Sequence, residues 1–140
     1  MAAENRVITL RQVESLERVY NQILDLVGAR KGIKAGNALV TFPNKEKTVC
    51  ELSTTYITKP GRFSKEQRVV VTLTFNRIED GAYVANVADS VFHIVSEDKG
   101  GLKEVWSGKF QEAAERIEDV VKLYTEAINN LANKFSSPSS

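Results

Sequence analysis

Residues 68–95, RVVVTLTFNRIEDGAYVANVADSVFHIV, decide how the rest of the chain can fold. Val69, Val71, Leu73 and Phe75 share one face of an extended segment, and Val70, Thr72, Thr74 and Asn76 share the other. Such period-two alternation predicts a strand with one face buried. Glu79-Asp80-Gly81 supplies a tight-turn signal, because Asp-Gly accepts the positive φ of short hairpin loops. A second extended run covers 82–95, long beside typical strands of about 5–6 residues. Its faces do not alternate cleanly: Val87, Val91 and Val95 fall with Tyr83 and Asp89, while Phe92 and Ile94 fall opposite. A bulge or bend within 86–90 reconciles the pattern. Two neighbouring strands of this kind predict the centre of an antiparallel sheet.

Working outward, the segment before this hairpin alternates as well. Cys50, Leu52, Thr54 and Tyr56 share one face of an expected strand over 47–58, and Glu51, Ser53 and Thr55 share the other. A sheet with one buried and one wet face shows this alternation. Cys50 falls on the apolar face and is expected in the core, where free cysteines act as small hydrophobes. A short strand over 38–42 precedes it, ending in the turn signal Pro43-Asn44. After the hairpin, residues 97–101 read as a polar turn and 102–106 as a last strand, with Trp106 expected as a buried indole.

Helical periodicity takes over at both ends of the chain. Leu10, Val13, Leu16, Tyr20, Ile23, Leu24 and Val27 recur on one stripe, and Thr9 with Gln12 fits a capping box ahead of it. This predicts a helix over 10–29. Phe110, Ala113, Ile117, Val120, Tyr124, Ile128, Leu131 and Phe135 form a second stripe, predicting one helix over 109–134. At 1.5 Å per residue that helix would be roughly 39 Å long, more than a small sheet covers. The surplus makes Tyr124, Ile128, Leu131 and Phe135 the expected interface of a homo-oligomer. The organisation expected is an N-terminal arm over 1–8, a single α+β domain over 9–135 and a flexible tail over 136–140. Its architecture is a curved antiparallel β-meander of about five strands, with an N-terminal helix and a long C-terminal helix on one face. In outline this order resembles RNA-binding α-β-β-β-α domains and secretion-chaperone-like folds, but no residue motif ties it to either.

Composition bounds the function classes. With 42% hydrophobic and 26% charged residues the chain is globular, and 140 residues suffice for one core without disulfide or metal. One cysteine permits no intramolecular disulfide, which points to a reducing, cytoplasmic compartment. The N-terminal residues lack the apolar core of a signal peptide, and no apolar run is long enough for a membrane span. His93 is the only histidine, so a multi-histidine metal site cannot form and any catalytic triad would depend on it. The glycine-containing connector 32–37 follows a helix and enters a strand, without the spacing of a phosphate-binding loop. Glu79-Asp80 and Glu97-Asp98 lie in turns, where solvation explains them. Catalytic residues, metal and cofactor are all expected to be absent, and an enzyme is the less expected class.

Charge is segregated beneath a net value of +1. Residues 1–29 sum to −1, 30–68 to +6 and 69–140 to −4. Two of the basic residues, Arg30 and Lys31, also suit the C-terminus of the first helix. Within 59–67, Phe63 stands among Lys59, Arg62 and Lys65, after a Pro60-Gly61 turn signal. An aromatic among cations can stack on an unpaired base. Arg30, Lys31, Lys34, Lys59, Arg62, Phe63, Lys65 and Arg68 are therefore the candidate contacts for RNA, single-stranded DNA or another anionic partner, with Tyr56 a second stacking candidate. Three function classes follow: a non-enzymatic binding or assembly domain acting as a homo-oligomer, a nucleic-acid module built on 30–68, and a small-ligand pocket protein or enzyme.

Overall fold

Thr9 and Gln12 start the first helix as a capping box. The Thr9 N–H donates to Gln12 Oε1 at 2.9 Å, and the Gln12 N–H donates to Thr9 Oγ1 at 3.2 Å. The computed structural model describes residues 5–27, 32–58, 66–79, 81–98 and 100–136. Helix α1 runs over Leu10–Val27 and buries Val13, Leu16, Tyr20, Ile23 and Leu24. The strands are β1 Asn5–Ile8, β2 Lys34–Ala35, β3 Leu39–Thr41, β4 Val49–Thr58, β5 Gln67–Arg77, β6 Tyr83–Asn86, β7 Val91–Asp98 and β8 Gly101–Lys109. Helices α2, Phe110–Arg116, and α3, Glu118–Ser136, complete an α+β fold with one antiparallel sheet.

The sheet is built on β4 and β5, which pair from Val49↔Asn76 to Thr58↔Gln67. Alternation along both strands is strict. Cys50, Leu52, Thr54, Tyr56, Val69, Val71, Leu73 and Phe75 are buried on the face that meets the helices. β5 and β6 form a hairpin, with Gly81 at φ 78° and the Ile78 N–H donating to the Ala82 carbonyl at 2.8 Å; Asp80 of the expected turn lies outside the described residues. The hairpin ladder is short, though. Only Asn76↔Val84 and Arg77↔Tyr83 join β5 to β6.

The chain then makes a 3-10 turn over Val87–Asp89, capped by the Asn86 side chain, which accepts from the Ala88 N–H at 3.1 Å. After that turn β7 pairs with the other end of β5, from Thr72↔Val91 to Gln67↔Ser96. The bend expected within 86–90 is this turn. It lets two successive strands share one partner, and the sheet divides into a β6–β1 arm and a β7–β8 arm.

Three elements differ from the sequence expectation. Residues 5–8, expected within an arm, form β1 and pair with β6 from Asn5↔Asn86 to Ile8↔Tyr83. Lys34–Ala35 adds β2 at the margin of β4, where Lys34 lies opposite Ile57. The C-terminal helix is broken: Ile117, at φ −132° and ψ 58°, ends α2 before α3 begins. Neither glycine nor proline marks that break, so helical periodicity alone carried no sign of it.

The broken helix corrects the expected oligomer interface. Tyr124, Ile128 and Leu131 are buried within the single chain at 2%, 0% and 3% exposure, and Phe135 packs partly buried against the same core. Split in two, the segment no longer overshoots the sheet. The start of α1 lies at the end of α3, where Gln12 Nε2 donates to the Phe135 carbonyl at 2.9 Å. Tyr124 is an anchor. Its hydroxyl shares a buried hydrogen bond of 2.6 Å with Ser90 Oγ, and its ring meets Phe92 edge-on at 5.4 Å. Tyr20 and Tyr56 are equally buried, but neither hydroxyl has an aligned hydrogen-bond partner among the described residues.

These contrasts set stability expectations. Tyr124→Phe leaves the buried Ser90 hydroxyl unpaired and should cost about 1–3 kcal/mol, whereas Tyr56→Phe removes an unpartnered hydroxyl and should be neutral to within about 0.5 kcal/mol. Urea titration of both variants measures the difference; equal losses would contradict the assignment. Burial, aided by the nearby Glu51 charge, pushes the Cys50 thiol from 9.0 up to about 11. A raised thiol pKa means the folded state holds its proton after the unfolded state has lost it. Its contribution to stability is full below about pH 9 and disappears as pH rises to about 11. Cys50→Ser should flatten that decline in urea titrations over the same window, and Cys50 should label with thiol reagents only on unfolding.

Candidate functional site

The described polar groups converge at one end of the sheet, where β4 finishes, β5 begins and the two C-terminal helices meet. An open groove of about 730 Å³ lies there. Ile33, Ile94, Val105, Ile117 and Val120 give it aliphatic walls. Thr58 and Gln67, opposite one another at the end of the β4–β5 ladder, give it a polar margin. Arg116, Glu118 and Asp119 line the side formed by the helix break. Such a volume lies in the range of small-molecule sites, about 300–1,000 Å³.

Arg116 is positioned by an aromatic ring. Trp106 pairs with Ile94 and so points to the helix side of the sheet, and its indole carries the Arg116 guanidinium 5.3 Å from the ring centroid. Gly108, two residues on, makes room for the indole. A Cβ there would stand 2.7 Å from Trp106 Cζ2 and Cη2. Trp106 is thus half buried beside the groove, against the expectation of a core indole. Across from Arg116, Glu118 is paired with Lys122 at 2.7 Å, one turn along α3. Acidic residues in the first turn of α3 also suit the positive end of its dipole.

The expected anion contacts fall into two groups. Lys34 and Arg68 are exposed, and both flank Ile57 on the sheet face that carries no helix. Arg30, Lys31, Lys59, Arg62, Phe63 and Lys65 lie outside the described residues. Tyr56 is corrected as a stacking candidate: at 1% exposure it belongs to the core face of β4. His93 lies half-buried on the outer face, in contact with the Glu104 carboxylate and directly opposite Ser107 in the β7–β8 ladder. Among the described residues no group of three or more His, Cys, Asp or Glu is placed to hold a metal ion. No described helix is long and apolar enough to cross a membrane.

Sequence reasoning missed Arg116, Thr58 and Gln67 as site residues. The groove gathers side chains from six separate stretches, and only the pairing of β4, β5, β7 and β8 brings them to one end. Fold and groove together define an α+β domain with a small-molecule-sized recess at the open end of its sheet. No protein-family model matches the chain, and neither a curated protein nor a solved structure matches it.

Because the indole occupies the space a side chain at 108 would need, Gly108→Ala should displace it. Trp106 emission should shift to the red, and stability should fall by about 1–3 kcal/mol. Trp106 is the only tryptophan, so the emission reports this contact alone. An unchanged spectrum would contradict the packing.

Proposed function

We propose that the chain is a non-enzymatic binding domain whose groove holds a small anionic ligand, with phosphate-bearing molecules the favoured class. One observation carries this reading. Ile33, Thr58 and Gln67, three of the residues that line the groove, all belong to the segment 30–68 in which the +6 excess resides. Arg30 and Lys31 precede Ile33 within three residues, and Lys59, Arg62 and Lys65 fall between Thr58 and Gln67. Along the sequence, then, the basic residues adjoin residues that line the recess. Arg116 supports the same sign of ligand from the opposite side, since its guanidinium has no carboxylate partner among the described residues and is held by Trp106. The aliphatic walls would receive the uncharged part of the ligand and exclude water from the ionic contacts.

Oligonucleotides are the polymeric form of the same chemistry and give a second reading, favoured by Phe63 standing among these cations. The described walls of the groove contain no aromatic ring for stacking, which favours the small ligand.

Trp106 fluorescence measures binding directly, being in contact with Arg116. Adenosine triphosphate or pyrophosphate should quench or shift the emission at low ionic strength, with affinity falling as salt is raised. Arg116→Ala should weaken binding about 10-fold or more, as expected for loss of a charge-assisted hydrogen bond. If a short single-stranded RNA binds and the small phosphates do not, the polymer reading replaces this one. Binding of neither at low salt sinks both.

A further inference from the structure

The helices cover one face of the sheet, and the other face carries an unusual distribution of side chains. Residues of β4, β5 and β7 that point away from the helices include Ile57, Val70, Thr72, Val91 and Val95, each half buried by its neighbours in the sheet alone. A solvated strand face ordinarily alternates charged residues with its buried ones. Here the two rows between those of Glu51 and Arg68, which hold Ser53, Thr72 and Val91 and then Thr55, Val70 and His93, contain no Lys, Arg, Asp or Glu on β4, β5 or β7. In β5 the outward residues from Val70 to Asn76 are all uncharged. Charge returns at Glu51 and Arg68 on either side of these rows and at Lys34, Glu104 and Lys109 on the flanks, as in the uncharged core and polar rim of a protein interface.

We infer that this outer sheet face is the contact surface of a homodimer, with a second copy of the chain packed face to face on it. Two arguments select a second copy. The first is charge complementarity along one ladder row, which runs Lys34, Ile57, Arg68, Val95, Glu104 across β2, β4, β5, β7 and β8. A two-fold axis along β5 exchanges the flanks of the sheet, and packed sheets align to within about 30°. Lys34 then stands over Glu104 of the second copy, and Ile57 over its Val95. Arg68, on the axis near the end of β5, faces its own symmetry mate, a like-charge contact for which Glu97, diagonal to it on β7, is the available counter-charge.

The second argument is area. Five strands about 4.8 Å apart, over rows about 7 Å apart, offer roughly 600 Å² per copy. That is close to the roughly 800 Å² per partner of a standard interface and fits a dimer of micromolar affinity. The inference is independent of the groove, which opens on the helix side at the end of the sheet.

Sedimentation equilibrium of the full chain from about 1 to 500 µM tests it. The wild-type mass should rise from one chain to two across that range. Val70→Lys, which places a charge in the uncharged centre, should hold the mass at one chain, with its circular dichroism unchanged as the check on folding. Lys34→Glu alone and Glu104→Lys alone should each weaken association about 3–10-fold. The double exchange should restore it to within about 2-fold, which a merely structural role for either residue would not produce. Glu104 also contacts His93, so circular dichroism checks the folding of Glu104→Lys too; with folding intact, this pair keeps the test sound if Val70→Lys disturbs the fold. A one-chain mass at every concentration overturns the inference. So does a dimer that survives Val70→Lys, which would place the contact elsewhere, or a double exchange without rescue.

Discussion

The Ser90–Tyr124 hydrogen bond sits where the fold has least freedom. The turn over Val87–Asp89 takes the chain from one end of β5 to the other, and Ser90 is the residue that leaves it. Fully buried, its hydroxyl needs a partner, and the one it finds belongs to α3. Phe92 and Phe110 close around the same tyrosine, with Phe92 edge-on to Phe110 at 6.3 Å and Phe110 tilted against Tyr124 at 6.5 Å. These contacts tie the turn that divides the sheet to both α2 and α3. A leucine at 124 could bury as much surface, but it would leave Ser90 without its bond.

The groove follows from the same arrangement. α2 is held to the end of β8, where the Lys109 N–H donates to Glu112 Oε1 at 3.1 Å. α3 is held by Tyr124 over the middle of the sheet. Between these two attachments the helix is interrupted at Ile117. The recess is the space that opens between this break and the last rows of β4, β5 and β7. Its one positioned cation, Arg116, is the last residue of α2, so the break that makes the cavity also delivers its charge.

Two further tyrosines show how unevenly polar groups are treated inside this core. Burial raises the pKa of both Tyr20 and Tyr56 above the ordinary phenol value. Their hydroxyls interact with each other, and that of Tyr20 with Thr54, without reaching hydrogen-bond geometry. Each phenol contributes through its ring, filling the space between α1 and β4, and carries its hydroxyl at a cost. Tyr124 differs because its hydroxyl is paired.

By itself the sequence determined the elements whose signals are local. Alternation in 47–58 and 68–76, Gly81, the Thr9–Gln12 box and the stripe of α1 each report a choice the backbone makes within a few residues, and each stands in the structure. It determined the α+β class for the same reason, and it placed Cys50 in the core because parity along a strand is unambiguous. Tertiary structure decided what depends on partners distant in sequence. The helix break at Ile117 falls between the attachment of α2 to β8 and that of α3 to Ser90, contacts that no local pattern records. The apolar stripe of α3 was legible as apolar, but whether Tyr124, Ile128 and Leu131 met another chain or this one depended on where the sheet lay. Burial is a property of the assembled surfaces, whereas periodicity belongs to one segment. For that reason the groove residues Thr58, Gln67 and Arg116 had no signature until pairing of the strands brought them to the same end.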